Sequence, residues 1–191
     1  EKSDKMTLHA VVPELLNAAR ELADKYTNMP KVCSIICTDY NIDSDFENIK
    51  RDLYINGSDK IYFIKSEKIQ NYTGIAKAVS EFCKAKIPEI FLIGATIIGR
   101  SIAPLISSDL NTGLTADCTK LEITNFKDEK KLAATRPTFG GQLMATILCK
   151  NLPQMATVRP SVLQKRGDIY KEDGEYEEFI PNLDDFCNHL T

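Results

Sequence analysis

The stretch "EIFLIGATIIGRSIA", Glu89 to Ala103, decides the fold. After Glu89, Ile90 to Gly94 form a continuous apolar run, the pattern of a strand buried on both faces in a parallel sheet. The remainder reads as a helix packed directly against that strand: Gly94 permits a tight exit, Thr96 is placed to cap, Gly99 allows close packing, and Pro104 marks either the start of the helix or a kink. Residues Gly94 to Ser101 also fall one residue short of the phosphate-cradling pattern G-x-x-x-x-G-K-[ST], with Arg100 in the lysine position.

Outward from this unit the alternation recurs. "PELLNAARELADKY", Pro13 to Tyr26, puts Leu15, Leu16, Ala19, Leu22 and Ala23 on one helical face, with Pro13 and Glu14 suited to a first turn. "KVCSIICTD" comes next as a short run of β-formers, then "DSDFENIKRDLY" as a second helix opened by an Asp43 or Ser44 cap, and "KIYFIK" as a strand. "NYTGIAKAVSEFCKAK" is a third helix, broken at Pro88. Strands alternating with helices of this length imply right-handed β-α-β units, and so a three-layer α/β/α domain with a mostly parallel sheet.

Beyond Leu110 the pattern changes. Residues 113–124, 130–137, 140–149 and 154–163 read as successive strands joined by turns, added to the C-terminal side of the α/β unit. A doubly wound sheet normally starts with a strand in its middle, yet "KMTLHAVV" runs straight into Pro13. Either His9 to Val12 supplies a remnant of that strand or it comes from outside these residues.

Composition narrows the function classes. An apolar fraction of 43% with 27% charged residues fits a soluble globular chain rather than a disordered one. No apolar run is long enough to span a membrane, and "EKSDKMTLHA" lacks the basic and apolar regions of a signal peptide, so a cytoplasmic location without membrane insertion is expected. Cys33, Cys37, Cys83, Cys118, Cys149 and Cys187 contain no C-x-x-C pair and read as small buried hydrophobes; with only His9 and His189 beside them, no metal site is expected. Gly167 to Thr191 carries eight acidic residues against one lysine, which reads as a solvated acidic linker or tail after a domain of residues 1–166. No basic patch interleaved with aromatics points to nucleic acid.

The glycine pattern is a weak nucleotide signal. A true phosphate loop needs a compact ammonium in a tight turn, which the planar fork of Arg100 does not replace, and no later metal-binding acid stands at the end of an apolar strand. Pairing of Arg100 with Asp117, in the apolar-flanked "TGLTADCT", is the stronger reading, since a carboxylate buried there without a partner would be expensive. Two further segments are unusual for plain core. "TRPTFGG", Thr135 to Gly141, displays Arg136 on a bend between strands where backbone can approach a ligand, and "PQMATVRPS" repeats the Arg-Pro pairing at Arg159.

In order, "GATIIGRSIAP", "TGLTADCTKLEI", "TRPTFGGQLMATI" and "PQMATVRPSV" strongly resemble the first domain of the electron transfer flavoprotein α subunit, over about Pro13 to Val162. The resemblance implies an adenine nucleotide alpha hydrolase-like α/β fold, a heterodimeric β-subunit partner of related fold, and an electron carrier rather than a catalyst, passing electrons through FAD from an acyl-CoA dehydrogenase or similar redox partner. In that family a second domain holds the electron-transferring FAD through glycine- and serine-rich loops and a Gln-Thr-Gly segment. Those motifs do not occur in these residues, so flavin is expected in the full heterodimer rather than on this chain alone.

By the same resemblance the cofactor-facing residues are Arg136, Phe139, Gly140, Gly141 and Gln142, with Arg136 as the cation beside the flavin; in bifurcating members the corresponding arginine lies at the β-subunit flavin. Gln142 departs from the family's more frequent asparagine, keeping the amide but moving it by one methylene. Arg100, Asp117 and Arg159 are expected to be structural. Two rival readings stand beside this one: a pure subunit-interaction module, and an adenine-nucleotide-binding domain using Gly94 to Ser101. A mitochondrial matrix location is the alternative to the cytoplasm.

Overall fold

The computed structural model describes residues 7–38, 46–65, 69 and 71–183. Within them α1 (Val11–Ala23), β1 (Cys33–Thr38), α2 (Phe46–Ile55), β2 (Lys60–Lys65), α3 (Tyr72–Lys86), β3 (Ile90–Gly94) and α4 (Ile97–Asp109) alternate as the sequence predicts. Then come β4 (Leu114–Cys118), β5 (Lys120–Phe126), β6 (Glu129–Thr138), β7 (Leu143–Leu148), β8 (Gln154–Val158) and β9 (Glu175–Phe179). Helix α1 starts ahead of Pro13 because the His9 ring accepts a hydrogen bond from the Val11 amide. Pro104 lies inside α4 rather than at its start. The proposed cap at Asp43 or Ser44, Cys187 and His189 lie outside the described residues.

The strands form three groups: β1-β2-β9 and β3-β8-β4, both parallel, and β5-β6-β7, antiparallel. No strand precedes α1 among the described residues, and the parallel strands are divided between β1 and β3. Both of these open edges lie under the same helices. On one face Ile35 of β1 and Phe91 and Ile93 of β3 pack in one cluster with Val79 and Phe82 of α3 and Ile106 of α4. On the other, Leu16 of α1 clusters with Ile36 of β1, and Leu22 with Ile90 and Leu92 of β3. The layers are therefore helix, sheet, helix.

Strand β8 enters between β3 and β4 although it is the last of the three in sequence, and all five of its residues are buried. Two of these are polar, and each satisfies a backbone donor of a neighbouring element. Gln154 Oε1 accepts from the Leu132 amide of β6 at 2.7 Å, and the Thr157 hydroxyl accepts from the Asp117 amide of β4 at 2.9 Å. The antiparallel sheet is thereby fastened to the parallel one.

The acidic stretch after Gly167, expected as a solvated tail, is instead part of the fold as far as it is described. The chain leaves β8 and crosses α1, where the buried carboxylate of Glu14 accepts the Ser161 and Leu163 amides. Tyr170 then donates its hydroxyl to Asp59 at 2.9 Å, with the Arg20 guanidinium 4.4 Å from its ring. Strand β9 pairs with β2. Its charge is accommodated because Lys60 and Lys86 both meet Glu177, while Phe179 packs edge-on against Phe82. Of the cysteines expected to be buried, Cys83 and Cys118 are, whereas Cys33 is exposed at the start of β1 and Cys37 and Cys149 are half-buried.

Replacing Gln154 by leucine keeps the volume and removes the acceptor, orphaning a buried amide. Such a loss costs about 1 to 3 kcal/mol. Urea unfolding of Gln154→Leu is expected to show a destabilisation in that range; an unchanged midpoint would show that the Leu132 amide finds another partner.

Candidate functional site

In open α/β sheets the carboxyl ends of the strands are where ligands gather. Here β3, β8 and β4 end together. The Ala95 amide donates to Val158 O at 2.7 Å, and the Thr96 hydroxyl caps α4 by accepting from the Gly99 amide at 3.1 Å. A Cβ on Gly99 would lie 1.8 Å from Gly94 O, so the second glycine is required for the helix to pack on the strand end. Arg100 Nε donates back to Ala95 O at 3.0 Å. The turn is closed by packing and capping.

Arg100 Nη2 lies 3.0 Å from Asp117 Oδ1, with the arginine side chain 55% exposed. An exposed guanidinium therefore reaches a carboxylate that is 25% exposed with its Oδ1 buried, at the point where β4 bulges. Its pairing with β8 shifts register between Thr115 and Cys118, and Asp117 takes a left-handed backbone with φ of 58°. Arg159, at the end of β8, is exposed, and its amide donates to Cys118 O at 3.0 Å.

The second group of residues sits on the β6-β7 hairpin. The Thr119 amide donates to Thr135 O at 2.9 Å, which brings the start of the hairpin beside the ends of the parallel strands. Burial pushes the Cys118 thiol up to about 11, opposed in part by the positive charge of Arg136, so at neutral pH this cysteine is a protonated core residue rather than a nucleophile. Arg136 faces Ala145 across the ladder, and its Nε is buried with no hydrogen-bond partner among the described residues. An orphaned guanidinium donor of this kind is expensive unless something outside these residues accepts it.

Past Pro137 the hairpin turns through Phe139, Gly140 and Gly141, with φ values of 48°, 66° and 91°. A side chain added at either glycine would meet nothing within 4 Å, and Phe139 is 78% exposed. Gln142 is exposed at the end of the turn. Arg136, Phe139, Gly140, Gly141 and Gln142 thus share one hairpin, next to the strand ends that carry Arg100, Asp117 and Arg159. An unpartnered cation beside uncrowded backbone and an exposed aromatic ring fits the electron-rich edge of a planar cofactor.

Sequence reasoning misses one feature of this end. Strand β7 is an open edge, and Leu143, Met144 and Ile147 on it are exposed. The available signal was the absence of any charged residue from Pro137 to Cys149. Among the described residues no group of three His, Cys, Asp or Glu could hold a metal ion, and no helix is long and apolar enough to cross a membrane.

Comparison with known proteins matches residues 1–182 to the family model described as electron transfer flavoprotein domain. The chain is 43% identical over 179 residues to the electron transfer flavoprotein subunit alpha of Thermoanaerobacterium thermosaccharolyticum, covering 92% of this chain and 51% of that protein. It is 39% identical to the corresponding subunit of Megasphaera elsdenii, covering 90% and 49%. It is 35% identical to the acryloyl-CoA reductase electron transfer subunit beta of Anaerotignum propionicum, covering 80% and 46%. The chain spans about half the length of the curated relatives it matches.

The Arg100–Asp117 contact has a measurable consequence. Exposed pairs contribute about 0 to 1 kcal/mol, against several for a buried pair broken on one side. With one end exposed and the Asp117 Oδ1 buried, Arg100→Ala is expected to lower stability by about 1 to 3 kcal/mol in urea unfolding; an unchanged midpoint would mean that water reaches the carboxylate.

Proposed function

The chain belongs to the electron transfer flavoprotein domain family, and from that premise we propose that it is the scaffold and flavin-environment part of an α subunit. It acts in a heterodimer with an electron transfer flavoprotein β subunit, in the cytoplasm. Electrons arrive from an acyl-CoA dehydrogenase or a similar redox partner and pass through FAD. The chain is a carrier component rather than a catalyst.

The observation that carries this reading is the buried, unpartnered Nε of Arg136 beside an open glycine turn. FAD, when bound in the heterodimer, supplies the redox chemistry. The chain's own part is electrostatic. Arg136 holds a fixed positive charge whose backbone is restrained by Pro137 to an extended conformation, so little reorganisation accompanies its interaction with a cofactor that gains negative charge. Gly140 and Gly141 keep the adjoining backbone clear, Phe139 offers a ring face, and the Gln142 amide offers a polar contact. In a bifurcating member the flavin tuned in this way is the one on the β subunit.

The rival reading, a module that only holds subunits together, rests on the exposed apolar side chains of Phe139, Leu143, Met144 and Ile147. Spectroelectrochemical titration of a complete heterodimer separates the two. Arg136→Ala is expected to leave subunit association nearly intact while lowering the potential of the neighbouring flavin or weakening its binding. Arg136→Lys should recover part of the effect, since lysine keeps the charge and loses the planar fork. Unchanged flavin properties with a large loss of subunit affinity would favour the interaction module. Purified alone, the chain is expected to be colourless, and stoichiometric flavin absorbance would count against the division of labour proposed here.

A further inference from the structure

Loops of more than about a dozen residues without secondary structure are uncommon in compact domains, and many of them are functional. Such a segment joins β8 to β9. From Ser161 to Gly174 no residue is buried, and Val162 and Ile169 are 38% and 60% exposed. Among the described residues its main chain makes one hydrogen bond to other main chain, from the Tyr170 amide to Ile55 O at 2.9 Å. Apolar burial therefore does little to hold it down.

What holds it is a short series of polar contacts along one side of α1. Glu14 accepts the Ser161 and Leu163 amides at 3.1 and 3.3 Å, Asn17 donates its side-chain amide to Gln164 O at 3.2 Å, and Arg20 lies against the Tyr170 ring. These residues are spaced i, i+3 and i+6, so successive turns of the helix each take one contact. Asp59 closes the far end. Its Oδ1 accepts the Tyr170 hydroxyl and lies 3.5 Å from Lys171 Nζ, while its Oδ2 holds Arg20 and the Val32 amide.

The closed arrangement also has unfavourable features. Ser161 takes a left-handed backbone with φ of 65°, and Arg20 Nε is buried without a partner among the described residues. A cavity of about 720 Å³ remains between Arg20, Asp24 and Lys31 on one side and Arg166, Tyr170 and Lys171 on the other. Opening would relax the first and let water satisfy the second, so the closed state is only weakly favoured. The flanking strands are fixed by contrast: Val158 of β8 is fully buried, and Phe179 of β9 packs on Phe82.

We propose that residues 161–174 are a strap that lifts from α1 as one unit while β8 and β9 stay in place, with the Tyr170–Asp59 contact as its latch. Lifting uncovers the carboxylates of Glu14 and Asp59 and the Arg20 guanidinium together. The two ends act jointly because the chain between them has no buried anchor of its own, so release at either end leaves the rest on isolated polar contacts. The strap is independent of the flavin role.

Native-state hydrogen exchange on the full chain, resolved amide by amide, tests this. The Ser161, Leu163 and Tyr170 amides are expected to share one protection factor, at least about a hundredfold below that of β8, as a sub-global opening requires. Tyr170→Phe keeps the ring and removes only the donor to Asp59. It should lower protection at the distant Ser161 and Leu163 by the same factor as at Tyr170, about tenfold, the scale of a hydrogen bond to a charged group, with β8 and β9 unchanged. Glu14→Gln should act in the reverse direction and lower protection at Tyr170. Trypsin cleavage after Lys165 and Arg166 should accelerate in step with exchange. Strap amides as protected as β8 would overturn the proposal, since the segment would then open only with the whole fold. A loss confined to Tyr170 in Tyr170→Phe would overturn it as well, by showing separate ties, and unchanged exchange in that variant would remove the latch.

Discussion

The side chain of Gln154 joins the two kinds of sheet, and much of the structure depends on that bond. Strand β8 lies between β3 and β4, parallel to both, with Gln154 1% exposed. In such a setting an amide side chain must be satisfied, and its carbonyl oxygen accepts the Leu132 amide of β6. Three residues further on, Thr157 does the same for Asp117. The antiparallel hairpin is therefore held in register with the strand ends by groups that cannot let go cheaply. Arg136 stands four positions beyond Leu132 on the same strand, so its place beside Cys118 is set by the core rather than by the hairpin alone.

The second constraint is the segment between β8 and β9. It begins at the end of one parallel group and finishes as the outer strand of the other, so it spans the division between β1 and β3. Helix α1 serves as its anchor, through Glu14 at one end and Arg20 with Asp59 and Tyr170 toward the other. Burial alone would raise the Asp59 carboxyl, but the Arg20 guanidinium, the Val32 amide and the Tyr170 hydroxyl together hold it below the ordinary carboxylate range. The charged form is the one the segment requires.

How much of this was legible depended on whether the signal was local. The alternation of "KIYFIK", "NYTGIAKAVSEFCKAK" and "EIFLIG" is a property of neighbouring residues, and the first seven elements obey it. "QMATV" reads equally well as another meandering strand; its insertion between β3 and β4 is a long-range pairing that periodicity does not encode. Likewise "EYEEF" looks solvated by composition, and only its pairing with β2 and the lysines at Lys60 and Lys86 makes it a strand. At the candidate site the glycine pair on a bend was readable from the sequence, whereas Arg136, expected on that bend, lies inside β6 opposite Ala145 with its Nε buried. The left-handed bulge at Asp117 was not readable either, since it arises in the long-range pairing of β4 with β8.

Local rules are broken together at one end of the molecule. The β6-β7 hairpin combines a buried guanidinium nitrogen without a partner among the described residues, a phenylalanine in left-handed backbone, and an undefended apolar edge. Single departures of the same kinds occur elsewhere: Arg20 and Arg166 each bury an Nε without a hydrogen-bond partner among the described residues, and Met29 and Ile87 hold left-handed backbone while exposed. What sets the hairpin apart is that three of them meet on one short segment, and each is a cost to the isolated chain that an external partner can remove. The three departures also differ in what would relieve them. The guanidinium calls for an acceptor, the ring for a pocket, and the strand edge for another main chain. No single small ligand supplies all three.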